Sequence, residues 1–150
     1  MKEINFGEFE VKSGKIHVSD PCYEYDANDK TGVLSLKDVV NGKYFAKATV
    51  DKIYKDIASL TAYHEKYFGV ELDFLIGTIG VDSGQAGIFD LKYYEENQGG
   101  EFGDLNSFYG LACSLTLSKE QGGIMNYAGV VSSSGCGDGE YEVYVGTNDI

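Results

Sequence analysis

Apolar residues in this chain recur at every second position in short runs, and each run stops at glycine or at an Asp or Ser turn former. That pattern restricts the chain to short, half-buried β-strands joined by tight turns. Tyr44, Ala46, Ala48 and Val50 fall two apart, as do Tyr141, Val143 and Val145, and as do Ile16 and Val18 between Lys15, His17 and Ser19. The last pattern places His17 on the polar side of its strand. In the first run the alternation slips, because Ile4 and Phe6 share one parity, Phe9 and Val11 the other, and Gly7 lies between them. A strand with a bulge near Gly7 accommodates the slip. Twenty Gly against one Pro fit many tight turns rather than a stiff or disordered chain.

The first two runs predict a hairpin around Ser13-Gly14, and residues 20–42 predict a long functional loop or an irregular crossover. After the strand that begins at Gly42, Asp56 is positioned to cap a helix in which Ile57, Leu60, His64 and Phe68 share a face and Gly69 supplies the stop. That face makes His64 a core or boundary residue. Residues 72–81, LDFLIGTIGV, predict a central strand covered on both faces, with 86–89 as a short partner. A loop with one helical turn is expected over 90–106. Leu111, Cys113, Leu115 and Leu117 alternate as a strand would, against a competing helix that starts at Asp104. The remainder reads as a β meander. The expected architecture is mainly β (α+β), an antiparallel β sandwich or curved sheet with one or two short helices, formed by one domain over residues 1–150.

Charge narrows the function classes. The chain has 24 acidic residues and 12 basic ones, a formal net charge of -12. The basic residues are all lysine, so the bidentate arginine fork that grips phosphates and guanine edges is missing. Direct nucleic-acid binding is not expected. Residues 71–150 hold 13 acids against Lys92 and Lys119, a balance of -11, and such a field attracts a basic protein surface or a cation. No apolar run reaches the length of a membrane span and the N-terminal segment lacks the blocks of a signal peptide, so a cytoplasmic location is expected. Cys22, Cys113 and Cys136 are odd in number and contain no CxxC pair, which predicts free thiols.

Three clusters combine acids, small residues and turn formers: SDPCY (Ser19 to Tyr23), VDSGQAGIFD (Val81 to Asp90) and SSSGCGDGEY (Ser132 to Tyr141). If their strand ends meet, Asp20, Asp82, Asp90 and Asp138 form a carboxylate mouth lined by Ser83, Gln85 and Ser134. Such a mouth suits a divalent cation or a general acid and base pair. The same residue types also cap the amides of their own turns. DANDKTG at 26–32 lacks the Gly and acidic positions of an EF-hand loop, GCGDG opens no helix, and VDSGQAG is not a GxSxG elbow. With two histidines in all, a cysteine–histidine pair has few candidates. Tyr93, Tyr94, Glu95, Glu96, Glu101 and Asp104 form an acidic, aromatic stretch of the kind found at protein interfaces.

The order GKIHVSDPCY, VDSGQAGIFD, GVVSSSGCGDGEYEVYV, from about Gly14 to Asn148, resembles a family of small bacterial and bacteriophage proteins of unknown function. The resemblance implies a β-rich single domain in a mobile-element setting and supplies no reaction, ligand or catalytic residue. Relatives carry a Trp near the start of the strand after Gly42 and an aromatic at the place of Cys136; here Lys43-Tyr44 and Cys136 depart from that pattern, which weakens a nucleophile role for Cys136. Residues and resemblance together favour a non-enzymatic acidic binding protein, a phage or mobile-element inhibitor that covers a basic surface of a host protein, with a nucleic-acid-handling protein as the natural target. No cofactor is expected on this reading. The alternative is a hydrolase or a domain binding a divalent cation or small ligand in the Asp-rich pocket.

Overall fold

The computed structural model describes residues 2–146, so Asn148, at the end of the family resemblance, lies outside the described residues. The strands are β1 (Lys2–Val11), β2 (Ile16–Ser19), β3 (Leu34–Leu36), β4 (Gly42–Val50), β5 (Ile57–His64), β6 (Phe74–Val81), β7 (Gln85–Asp90), β8 (Gly122–Ile124), β9 (Gly129–Ser133) and β10 (Gly139–Val145). Helices α1 (Leu91–Asn97) and α2 (Phe108–Thr116) are inserted between β7 and β8. Among the described residues the fold is mainly β and antiparallel, with no closed barrel.

The strands form three sheets in the orders β1-β4-β5, β10-β6 and β3-β2-β7-β9-β8. Alternation places each residue. Ala86 and Ile88 of β7 and Val130 of β9 join the core shared with Phe9, Val11, Ala46, Ile79 and Val81 of the two smaller sheets. Phe89 and Val131, on the opposite face, pack under Tyr94 of α1 and Phe108 and Ala112 of α2. The five-stranded sheet is therefore the middle layer, with β-structure on one side and helices on the other. Among the described residues, no helix is long and apolar enough to cross a membrane.

The bulge near Gly7 is present: the β1–β4 register shifts between Asn5 and Gly7, and Gly7 has φ 109°. Pairing differs from the expected hairpins. β1 pairs with β4 and β2 pairs with β3 and β7, so the Ser13-Gly14 turn carries the chain between sheets. β6 pairs only with β10 and leaves Phe74 and Leu75 exposed, while the doubly covered central strand is β7. β8 and β9 form a hairpin, but β10 crosses to β6 instead of continuing the meander. His17 is buried, not on a polar face, because Tyr94 of α1 and Tyr25 of the loop after β2 pack over its ring.

Two helix and strand expectations are exchanged. The segment expected as a capped helix over 57–68 is β5 followed by a 3-10 turn, Glu65–Tyr67. A bulge explains the misreading. Val50 pairs with Ile57 but Thr49 with Ser59, so Ala58 is the extra residue and Ile57 joins the side of Leu60, Ala62 and His64. A bulge creates a spacing of three that imitates a helix. Conversely, the alternating 111–117 segment lies largely in α2, where Phe108, Leu111, Ala112 and Leu115 form the apolar stripe. Ser107 caps it, its Oγ accepting from Gly110 N at 3.0 Å.

Gly110 docks that helix start against the preceding turn. A Cβ there would lie 2.0 Å from the Asp104 carbonyl oxygen and 2.6 Å from that of Glu101. Gly110→Ala, which raises helix propensity, is therefore expected to destabilise the protein by about 1–3 kcal/mol in urea titration. A gain in stability would mean that the loop gives way freely.

Candidate functional site

Asp20 follows β2, is fully buried, and has both carboxylate oxygens occupied. Oδ1 accepts from Cys22 N (2.8 Å) and Ser83 Oγ (2.5 Å); Oδ2 accepts from Asp82 N (2.8 Å) and Ser83 N (2.6 Å). The SDPCY turn is thus locked to the β6–β7 turn. Tyr23 Oη donates to Asp82 Oδ2, and that bond is the largest of the influences raising the Tyr23 pKa. The third cluster reaches the same end of the molecule, since Ser134 N donates to Gly84 O at 3.0 Å. Ser134 Oγ donates to Gly137 O (2.8 Å), closing its own turn. Asp138 is exposed and precedes Gly139, which pairs with Val81, so it lies at the same sheet end as Asp82. Gln85 is buried between β7 and α2, its Nε2 donating to Cys113 Sγ at 3.4 Å and its Oε1 accepting from Thr116 Oγ1 at 3.2 Å.

Asp90 does not join them. It pairs with Ile16 at the opposite end of β2–β7, where its carboxylate accepts from Lys12 N (2.9 Å), Lys92 N (3.1 Å) and Ser13 Oγ and caps α1. The expected four-carboxylate mouth is corrected on this point: Asp90 closes the six-residue β7, at the end away from the β6–β7 turn. Three motifs converge, but as interlocked turns. Among the described residues, no group of three His, Cys, Asp or Glu is arranged to hold a metal ion.

The nucleophile candidates are similarly constrained. Although Cys22 is exposed as a residue, partial burial of its sulfur, reinforced by the Asp20 carboxylate, pushes its pKa up to about 12, so it is a thiol near neutral pH. His64 is buried, with Nε2 against Asn41 O (2.9 Å) and Nδ1 accepting from Lys66 N (3.1 Å).

The acidic, aromatic stretch divides by helix face. Tyr94 is fully buried, its ring against His17, Phe89 and Phe108 and its hydroxyl on the carbonyls of Asp20 and Tyr23. It is a core residue and not part of a partner surface, because α1 turns this side toward the middle sheet. Tyr93 is half-buried, while Glu95, Glu96, Glu101 and Asp104 are exposed. Beside them stand two apolar residues that sequence reading overlooked, Phe102 at 70% exposure and Leu105 at 64%. Large apolar side chains left uncovered within one short acidic loop are candidates for contact anchors.

A cleft of about 470 Å³ opens next to this loop, lined by Tyr93, Asn97, Leu105, Asn106, Phe108 and Asn126 among others. Asn126 and Tyr127 form the β8–β9 turn with φ 48° and 58°. Successive positive φ values define the tight hairpin turn, and a tyrosine there is strained where glycine would be relaxed. The Asn126-Tyr127 pair between two alternating runs was the available signal for this turn.

No protein-family model, curated protein or solved structure matches the chain.

Proposed function

We propose that this protein is a non-enzymatic binding module that covers a basic surface of a partner protein with the acidic segment that runs from α1 through the loop before α2. The carrying observation is the company of Phe102 and Leu105, both exposed, with Glu95, Glu96, Glu101 and Asp104. Apolar anchors supply affinity at the centre of an interface, and surrounding charge selects the partner and speeds encounter. The balance of -11 over residues 71–150 sets the sign. The family resemblance adds a phage or mobile-element inhibitor as the biological setting, and a nucleic-acid-handling host protein is a target whose basic surface such a field imitates a ligand for.

The hydrolase or cation-binding alternative draws less support. Its central carboxylate, Asp20, already accepts four hydrogen bonds from within the chain, and Asp90 lies at the far strand end. Affinity capture from the native host at low and high salt tests the proposal. A retained partner should be lost as salt rises, and lost again when Glu95, Glu96, Glu101 and Asp104 are each changed to Lys. A partner retained equally by this variant, or no salt-sensitive partner, contradicts the proposal.

A further inference from the structure

Resting on the binding-module reading, we infer that the cleft between α1, α2 and the β8–β9 turn is the anchor pocket for an arginine side chain of the basic partner. Among the amides lining it, Asn97 has a sense fixed by its partner. Asn97 Nδ2 donates to Tyr93 O at 2.8 Å. A backbone carbonyl can only accept, so the amide nitrogen must face it and Asn97 Oδ1 is the free end. Asn126 Nδ2 lies 2.9 Å from Tyr93 Oη, a hydroxyl that both donates and accepts, so either end of this amide is compatible with the contact and its Oδ1 faces the cleft in the orientation seen. Among the described residues, neither Oδ1 has a hydrogen-bond donor, and the Asn106 side chain has no partner at all. Two amides are thus tied to one tyrosine.

The remaining lining argues against an anion. It contains no carboxylate and no lysine, while the exposed Glu95, Glu96, Glu101 and Asp104 flank its lining residues in sequence. An anion meets no cationic partner and an adverse field. The start of α2 would disfavour a cation, but its exposed amides are occupied: Tyr109 N donates to Gly99 O (2.8 Å) and Gly110 N to Ser107 Oγ. A guanidinium meets all the conditions, because it is a planar set of five donors that stacks on aromatic rings and carries its charge into a negative field with little hydration to lose. Leu105, Phe108 and Leu111 offer the apolar wall for its methylene stem. The strained Asn126-Tyr127 turn that presents one acceptor is held by Ala128 N to Met125 O and Glu10 N to Tyr127 O, both 2.9 Å.

The test titrates blocked Gly-Arg-Gly into the isotope-labelled protein, followed by amide and side-chain NMR shifts, with Gly-Lys-Gly and the neutral citrulline tripeptide as controls. The arginine peptide should move the Asn97 and Asn126 side-chain resonances and bind at least about tenfold more tightly than citrulline. Asn97→Leu should abolish the shifts while the melting temperature stays within a few degrees. Asn126→Asp, which keeps a residue suited to positive φ, should tighten binding about fivefold or more by making the bond charge-assisted. Equal citrulline binding, shifts confined to other surfaces, or full binding by Asn97→Leu overturns the pocket. The two ideas fail separately. Capture lost on charge reversal but unchanged by Asn97→Leu removes the pocket alone, whereas arginine binding in the cleft with capture indifferent to reversal removes the partner reading.

Discussion

Replacing Asp20 by alanine is expected to lower the unfolding free energy by about 3–5 kcal/mol in urea, the largest effect of any single acid in the three motifs. The physical reason is what the carboxylate leaves behind. Three backbone N–H groups, those of Cys22, Asp82 and Ser83, and the Ser83 hydroxyl lose their acceptor at a fully buried position. Each stranded buried donor costs about 1–3 kcal/mol, reduced where water can enter. Asp20→Asn should be intermediate, because one carbonyl oxygen remains while the new NH2 faces donors. Asp138→Ala, at an exposed position, should stay within about 0.5 kcal/mol. If Asp20 were retained for chemistry instead, its removal would leave stability unchanged or raise it.

The second large effect is a pH dependence from His17. The ring is buried between Tyr25 and Tyr94, at centroid distances of 5.4 and 4.5 Å, and Nδ1 sits 2.9 Å from Ser35 Oγ. Nε2 has no hydrogen-bond partner among the described residues. Burial lowers the His17 pKa from 6.5 to about 4, since the imidazolium would be charged in an apolar layer. The unfolded chain therefore binds a proton before the folded one does. The stability that neutral His17 confers is complete above about 6.5 and is lost as pH falls toward about 4, amounting to roughly 3 kcal/mol over that window. His17→Leu removes this slope, whatever its offset in absolute stability. Urea titrations of both proteins from pH 7.5 to 4 should diverge in slope below about 6.5. Parallel curves would show that the ring reaches solvent when protonated.

Alternation made the strands around Ile16, Tyr44 and Tyr141 readable, and the parity slip exposed the bulge at Gly7, because both signals are local. Pairing was not readable: β1 finds β4 and β6 finds β10 across long stretches of chain, and alternation says which face is buried without naming the neighbour. The extra residue Ala58 disguised β5 as a helix for the same local reason that Gly7 revealed a strand. At the candidate sites, turn chemistry correctly joined Asp20, Ser83 and Ser134. It failed for Asp90, since strand length, not residue type, sets where the other end of β7 lies. Tyr94 and the approach of Asn97 and Asn126 to Tyr93 depended on which way α1 packs, and a seven-residue helix carries too little periodicity to say so.

Hydrogen–deuterium exchange of the protein, free and bound to its captured partner, tests the central claim most directly because it locates the contact by residue. Protection should appear over residues 93–111 and at the Asn126-Tyr127 turn, with 20–23, 82–85 and 132–138 unchanged. Protection confined to those three interlocked turns, with 93–111 exchanging as in the free protein, would contradict it and return the function to the Asp20 end of the molecule.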